Sequence, residues 1–87
     1  MTVAGAEQTA LLRVLTPENR RLLNLIYSEK PSSVGALCKL ASRAQPNVSR
    51  ALAALEEAGL VRMVGARPKR PELAARFIVI DLLDEER

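Results

Sequence analysis

Within eight positions the chain sets five side chains that can hydrogen-bond: Arg43, Gln45, Asn47, Ser49 and Arg50. Val48, Leu52 and Leu55 run through the same stretch at the i, i+4, i+7 spacing of one helix face. A helix on that period turns Asn47, Ser49 and Arg50 away from the apolar stripe. Pro46 suits the first helical position, so the helix is expected over about 46–58. An exposed asparagine can donate to and accept from an adenine edge, and an arginine can grip guanine or a phosphate. Arg43 and Gln45, placed just before the helix, are expected to pin phosphates with help from its dipole. The competing reading is an ordinary solvated face.

A second cluster follows. Arg67, Lys69 and Arg70 crowd a segment stiffened by Pro68 and Pro71. Such cations can hold phosphates or enter a narrow minor groove. Lys39 and Arg62 read as weaker candidates facing solvent. Charge is unevenly spread along the chain. Residues 39–76 carry eight cations (Lys39, Arg43, Arg50, Arg62, Arg67, Lys69, Arg70 and Arg76) against three acids. Residues 77–87 carry Arg87 against Asp81, Asp84, Glu85 and Glu86. A basic middle beside an acidic tail points to a surface that meets a polyanion.

The elements that must position these groups can be read in order. Leu11, Leu12, Val14 and Leu15 recur at helical spacing and end or kink at Thr16, because Pro17 disfavours helical geometry before it. Thr16-Pro17-Glu18 then caps a helix running to about residue 30. Leu22, Leu23, Leu25, Ile26 and Tyr27 make its stripe wider than one core-facing face, so the surplus is expected against a neighbouring helix or a partner. Ser33 caps a third helix to about residue 42, with Val34, Leu37, Leu40 and Ala41 inward and Cys38 beside them. Gly59 reads as the left-handed stop of the 46–58 helix, with Leu60 folding back on Leu55. Residues 60–64 then read as a strand. Residues 65–71 read as an irregular loop, and Phe77-Ile78-Val79-Ile80 as the second strand, with a helix through Ala74-Ala75 and Leu82-Leu83 as the alternative.

Composition sets the outer limits. Eighty-seven residues are one small domain, and only 2% are aromatic, so the core must be aliphatic. A core that thin favours a partner subunit. No apolar run approaches the length of a transmembrane helix, and Glu7 with no basic leader argues against a signal peptide. One cysteine and no histidine exclude an internal disulfide, a Cys/His zinc site and any triad with histidine as base. No phosphate loop or nucleophile elbow is present, so neither enzyme activity, cofactor nor metal is expected.

The stretches 45–52 and 55–61 resemble the recognition helix and first wing strand of MarR-like winged helix-turn-helix regulators. Residues 15–23 and 33–37 resemble the first two core helices of that family. Lys69-Arg70-Pro71 with residues 77–82 resembles a short prokaryotic branch of DNA-binding regulators, some of them antitoxins. The resemblance implies a mainly α fold with a small β-hairpin, a winged helix-turn-helix over 16–83. It follows a helical extension over 1–15 that is a candidate dimer contact and precedes an acidic tail over 84–87. It also implies duplex DNA as partner, a wing over about 65–75 and cytoplasmic location at the nucleoid. A homodimer is expected because two copies double the contacts on a palindrome, and a repressor because so short a chain can block a promoter by occupying it. The alternatives are an antitoxin that also binds a toxin and a winged helix used for protein contacts alone. The expected DNA-contacting set is Arg43, Gln45, Pro46, Asn47, Ser49, Arg50, Arg67, Lys69 and Arg70.

Overall fold

A computed structural model describes residues 13–74. Helix α1 spans Pro17–Glu29. Thr16 caps it by accepting from the Asn19 amide at 3.1 Å, and Glu18 complements the dipole in the first turn. The break ahead of it falls where Pro17 requires. Arg13 and Val14 are helical, Leu15 and Thr16 are not. Two side chains of α1 fasten that approach: Asn19 donates to the Val14 carbonyl at 2.8 Å and Arg20 to the Leu15 carbonyl at 3.1 Å. Leu15 is thereby held in the core.

Of the two expectations for the wide apolar stripe of α1, a neighbour within the chain or a partner, burial of its main residues within the chain meets the first. Leu22, Leu23 and Ile26 are all buried within the chain, Leu23 to 1% exposure, and only Tyr27 stands out to solvent. Leu23 is core and is not free to meet a partner. The helix closes on Lys30 in the left-handed conformation (φ 48°) before buried Pro31.

Helix α2 covers Val34–Ala41 and is capped by the Ser33 hydroxyl, which accepts from the Ala36 amide at 3.0 Å. Leu37 and Ala41 are buried, with Val34 and Cys38 packed beside them. Leu40, expected inward, is 39% exposed. At 3.6 residues per turn it lies roughly 110° off the centre of the stripe formed by residues 34, 37, 38 and 41. Cys38 takes the place assigned to Leu40. The helix ends with Ser42 left-handed (φ 56°). The Ser42 amide donates to the Lys39 carbonyl and the Arg43 amide to the Cys38 carbonyl, a Schellman pair that turns the chain in three residues.

Helix α3 spans Gln45–Glu57. Val48, Leu52 and Leu55 are buried as their spacing required. The start falls one residue earlier than expected, so Gln45 is the first residue of the helix and does not precede it. Its end is a second Schellman pair. Gly59 (φ 81°) donates to Glu56, and Leu60 donates to Leu55 at 2.9 Å while its side chain joins the core.

The hairpin corrects the sequence reading. Strand β1 is Val61–Val64 and strand β2 is Arg70–Leu73, antiparallel with Arg62 opposite Glu72 and Met63 opposite Pro71. The second strand thus begins inside the segment expected to be irregular. The strand expected at 77–80 lies outside the described residues. Pro71 is tolerated because of parity. Ala74 donates to the Leu60 carbonyl, so the hydrogen-bonded pairs fall at 60–74, 62–72 and 64–70. Pro71 occupies the position between them, where its missing N–H costs the ladder nothing. Gly65 (φ 89°) opens the connecting loop, which contains a cis Arg67–Pro68 peptide.

Among the described residues the buried core is aliphatic: Leu15, Leu22, Leu23, Ile26, Leu37, Ala41, Val48, Leu52, Leu55, Leu60 and Val61. β1 packs on α3 and β2 on α1, so both sides of the hairpin are anchored to the helical layer. No helix among the described residues is long and apolar enough to cross a membrane.

Candidate nucleic-acid interface

Burial of Val48, Leu52 and Leu55 fixes which face of α3 looks outward. Gln45, Pro46, Asn47, Ser49 and Arg50 are all exposed at its N-terminal end. Arg50 donates to the Asn47 carboxamide oxygen one turn back, so these two form a single polar unit. Among the described residues the Asn47 amide nitrogen and the remaining guanidinium donors of Arg50 have no other partner. The N-cap residue is Ala44, which offers no side chain to the first amides of the helix. That end therefore keeps the positive pole of its dipole open to an anion.

Arg43 is placed otherwise. Its side chain is only 22% exposed, and Nη2 lies 3.9 Å from a Glu18 carboxylate oxygen at the start of α1. Nη1 is buried with no hydrogen-bond partner among the described residues. Arg43 leans across the turn toward α1 and does not project with Asn47 and Arg50. A residue that sequence reasoning passed over steadies the same turn. Arg21 reaches from α1 to donate to the Ala41 carbonyl at 2.9 Å, satisfying an open acceptor at the end of α2. A contact across twenty residues leaves no local signal in the sequence.

The hairpin cations divide into two sets. Arg67 and Lys69 stand exposed in the loop, and neither pairs with an acid among the described residues. Arg70 instead lies 3.4 Å from one carboxylate oxygen of Glu72, and Arg62 lies 3.5 Å from the other. Arg62 is solvent-facing, as expected. Glu72 went unremarked in the sequence, and only the strand register reveals that it sits opposite Arg62. A cavity of about 340 Å³ opens between the end of α1 and this hairpin, lined by Ile26, Tyr27, Pro71 and Leu73 and by the charged trio Arg62, Arg70 and Glu72. Lys30 stands at its rim, 5.6 Å above the Tyr27 ring. No group of three metal-ligating side chains occurs among the described residues.

The pattern of one protein family, HVO_A0114, matches residues 14–80, most of the chain. The chain belongs to the HVO_A0114 family. No curated protein matches this HVO_A0114 member. Among solved structures, the Staphylococcus aureus MepR A103V mutant superposes with a TM-score of 0.71 at 24% identity, over 92% of this chain and 60% of that one. A MepR–DNA complex gives 0.69 at 22% identity over 90% of this chain and 67% of that one. A homodimeric winged helix-turn-helix domain, Mb0332 of Mycobacterium bovis, gives 0.66 at 19% identity over 98% and 85%. The fold is thus the winged helix-turn-helix that the resemblance implied. This HVO_A0114 chain spans about 60% of the length of the first MepR chain.

Proposed function

We propose that this HVO_A0114 member is a transcription regulator that binds duplex DNA as a homodimer and represses by occupying its site. The carrying observation is the exposed polar end of α3. Asn47, Ser49 and Arg50 project from a helix whose opposite face is locked into the core. The presence of a DNA complex among structures of the same fold supports this reading. α3 enters the major groove with Gln45, Pro46, Asn47, Ser49 and Arg50 toward the bases and phosphates, and Arg67 and Lys69 meet the backbone alongside. Arg43 steadies the turn from its place beside Glu18 and reaches a neighbouring phosphate only by leaving that acid. The homodimeric Mb0332 domain supports pairing, with residues 1–15 as the candidate contact and 16–83 as the DNA-binding unit. Such a protein works where the chromosome is, in the cytoplasm of a prokaryote, and carries out no reaction.

Selection from a pool of random duplexes tests the reading. A two-fold dimer enriches an inverted repeat whose half-sites lie about 10 base pairs, one helical turn, apart. A pool with no enriched motif contradicts it.

A further inference from the structure

Between residues 58 and 76 the chain carries five cations and one acid, Glu72. Among the described residues that acid faces two of the cations. Its Oε1 faces the Arg62 Nε at 3.5 Å and its Oε2 faces the Arg70 Nη2 at 3.4 Å. The register explains the meeting, since Arg62 lies directly opposite Glu72 and Arg70 lies two residues before it on the same face of the hairpin. All three side chains are well exposed, at 65%, 48% and 39% for Arg62, Arg70 and Glu72. Ion pairs this open add little stability, so the trio is poorly accounted for as a structural clamp. Its electrostatic effect is larger. It lowers the charge of this face from +2 to +1 and puts a carboxylate between two guanidinium groups that could together grip a phosphate.

We infer that Glu72 restrains the wing's affinity for DNA by holding Arg62 and Arg70 away from the phosphates, leaving Arg67 and Lys69 as its working cations. The inference rests on the DNA-binding reading above and assigns that site a built-in brake. A carboxylate inside the Debye length of the backbone, about 10 Å at 0.1 M salt, repels each phosphate that approaches the hairpin. Rim charges of this kind tune association and salt dependence.

The test compares the unmodified protein with Glu72→Gln on one random duplex of about 30 base pairs, three helical turns, across a range of salt. Freeing two arginines raises the affinity about threefold to tenfold and steepens the slope of log K against log salt by about 0.9 for each phosphate gained. The gain vanishes when Arg62→Ala and Arg70→Ala are added to Glu72→Gln. Unchanged or weaker binding by Glu72→Gln, or a gain that survives loss of both arginines, overturns the inference. A second measurement needs no variant. In the unmodified protein the guanidinium Nε–H resonance of Arg67 moves on adding DNA, while those of Arg62 and Arg70 stay in place. Movement of all three together overturns the inference even where the variant fails to fold. Failure of the unmodified protein to bind DNA at low salt overturns the DNA-binding reading itself, an outcome distinct from the others.

Discussion

Arg50 donates a hydrogen bond from Nη2 to the Asn47 Oδ1, joining two exposed side chains at the N-terminal end of α3. A contact one helical turn long couples the rotamers of the two side chains. The two therefore act as one unit and not as independent contacts.

The first prediction follows from that coupling. Asn47→Ala or Arg50→Ala costs about 1–3 kcal/mol on the preferred site and much less on random duplex. The double variant costs less than the sum of the two, because either truncation already releases the other side chain. Isothermal titration on both duplexes measures it. Additive losses would show that the pair does not work as a unit.

The second prediction tests the register of α2. Leu37→Ala removes a fully buried side chain and costs about 2–5 kcal/mol of stability. Leu40→Ala, on the outward face, changes stability by less than about 0.5 kcal/mol. Urea unfolding with far-ultraviolet detection reads both. Equal losses would return Leu40 to the core.

The third prediction concerns the stop signal of α3. Gly59 holds a left-handed φ of 81° with open space where a Cβ would stand. Gly59→Ala therefore costs only the backbone term, about 1–2 kcal/mol. Gly65→Ala adds a contact at 3.2 Å from the Pro68 carbonyl to a φ of 89°, and so costs more. Thermal melts of the two variants rank them. A reversed order would contradict the loop geometry.

The fourth prediction separates assembly from folding. Light scattering gives twice the mass of one chain. Tyr27→Glu leaves the fold intact, because the ring is exposed, whereas Leu23→Glu places a charge in the core and unfolds the chain. A folded Leu23→Glu monomer would show that Leu23 serves an interface after all.

The parts legible in the sequence were those governed by local chemistry. Thr16, Ser33 and Gly59 announced helix ends because a hydroxyl cap and a left-handed stop are decided within a few residues. Val48, Leu52 and Leu55 announced the buried face of α3, and with it the exposure of Asn47, Ser49 and Arg50. Leu40 misled because hydrophobicity alone does not choose between it and Cys38; the phase of the whole stripe does. β2 was hidden by Pro71, whose harmlessness depends on the parity of a pairing made across the hairpin. The turn of Arg43 toward Glu18, the reach of Arg21 to Ala41 and the meeting of Glu72 with Arg62 are likewise products of the tertiary fold. Sequence spacing carries no record of them.

The salt dependence of duplex binding tests the central claim most directly. A fluorescent duplex of about 30 base pairs, three helical turns, is titrated with the protein at a series of salt concentrations. Neutralisation of phosphates by Arg50, Arg67 and Lys69 makes log K fall linearly with log salt, with a slope of about −0.9 for each phosphate contacted. A dimer that applies these three residues twice gives a slope near −5, about six contacts at that coefficient. No binding at low salt, or binding indifferent to salt, would contradict the account.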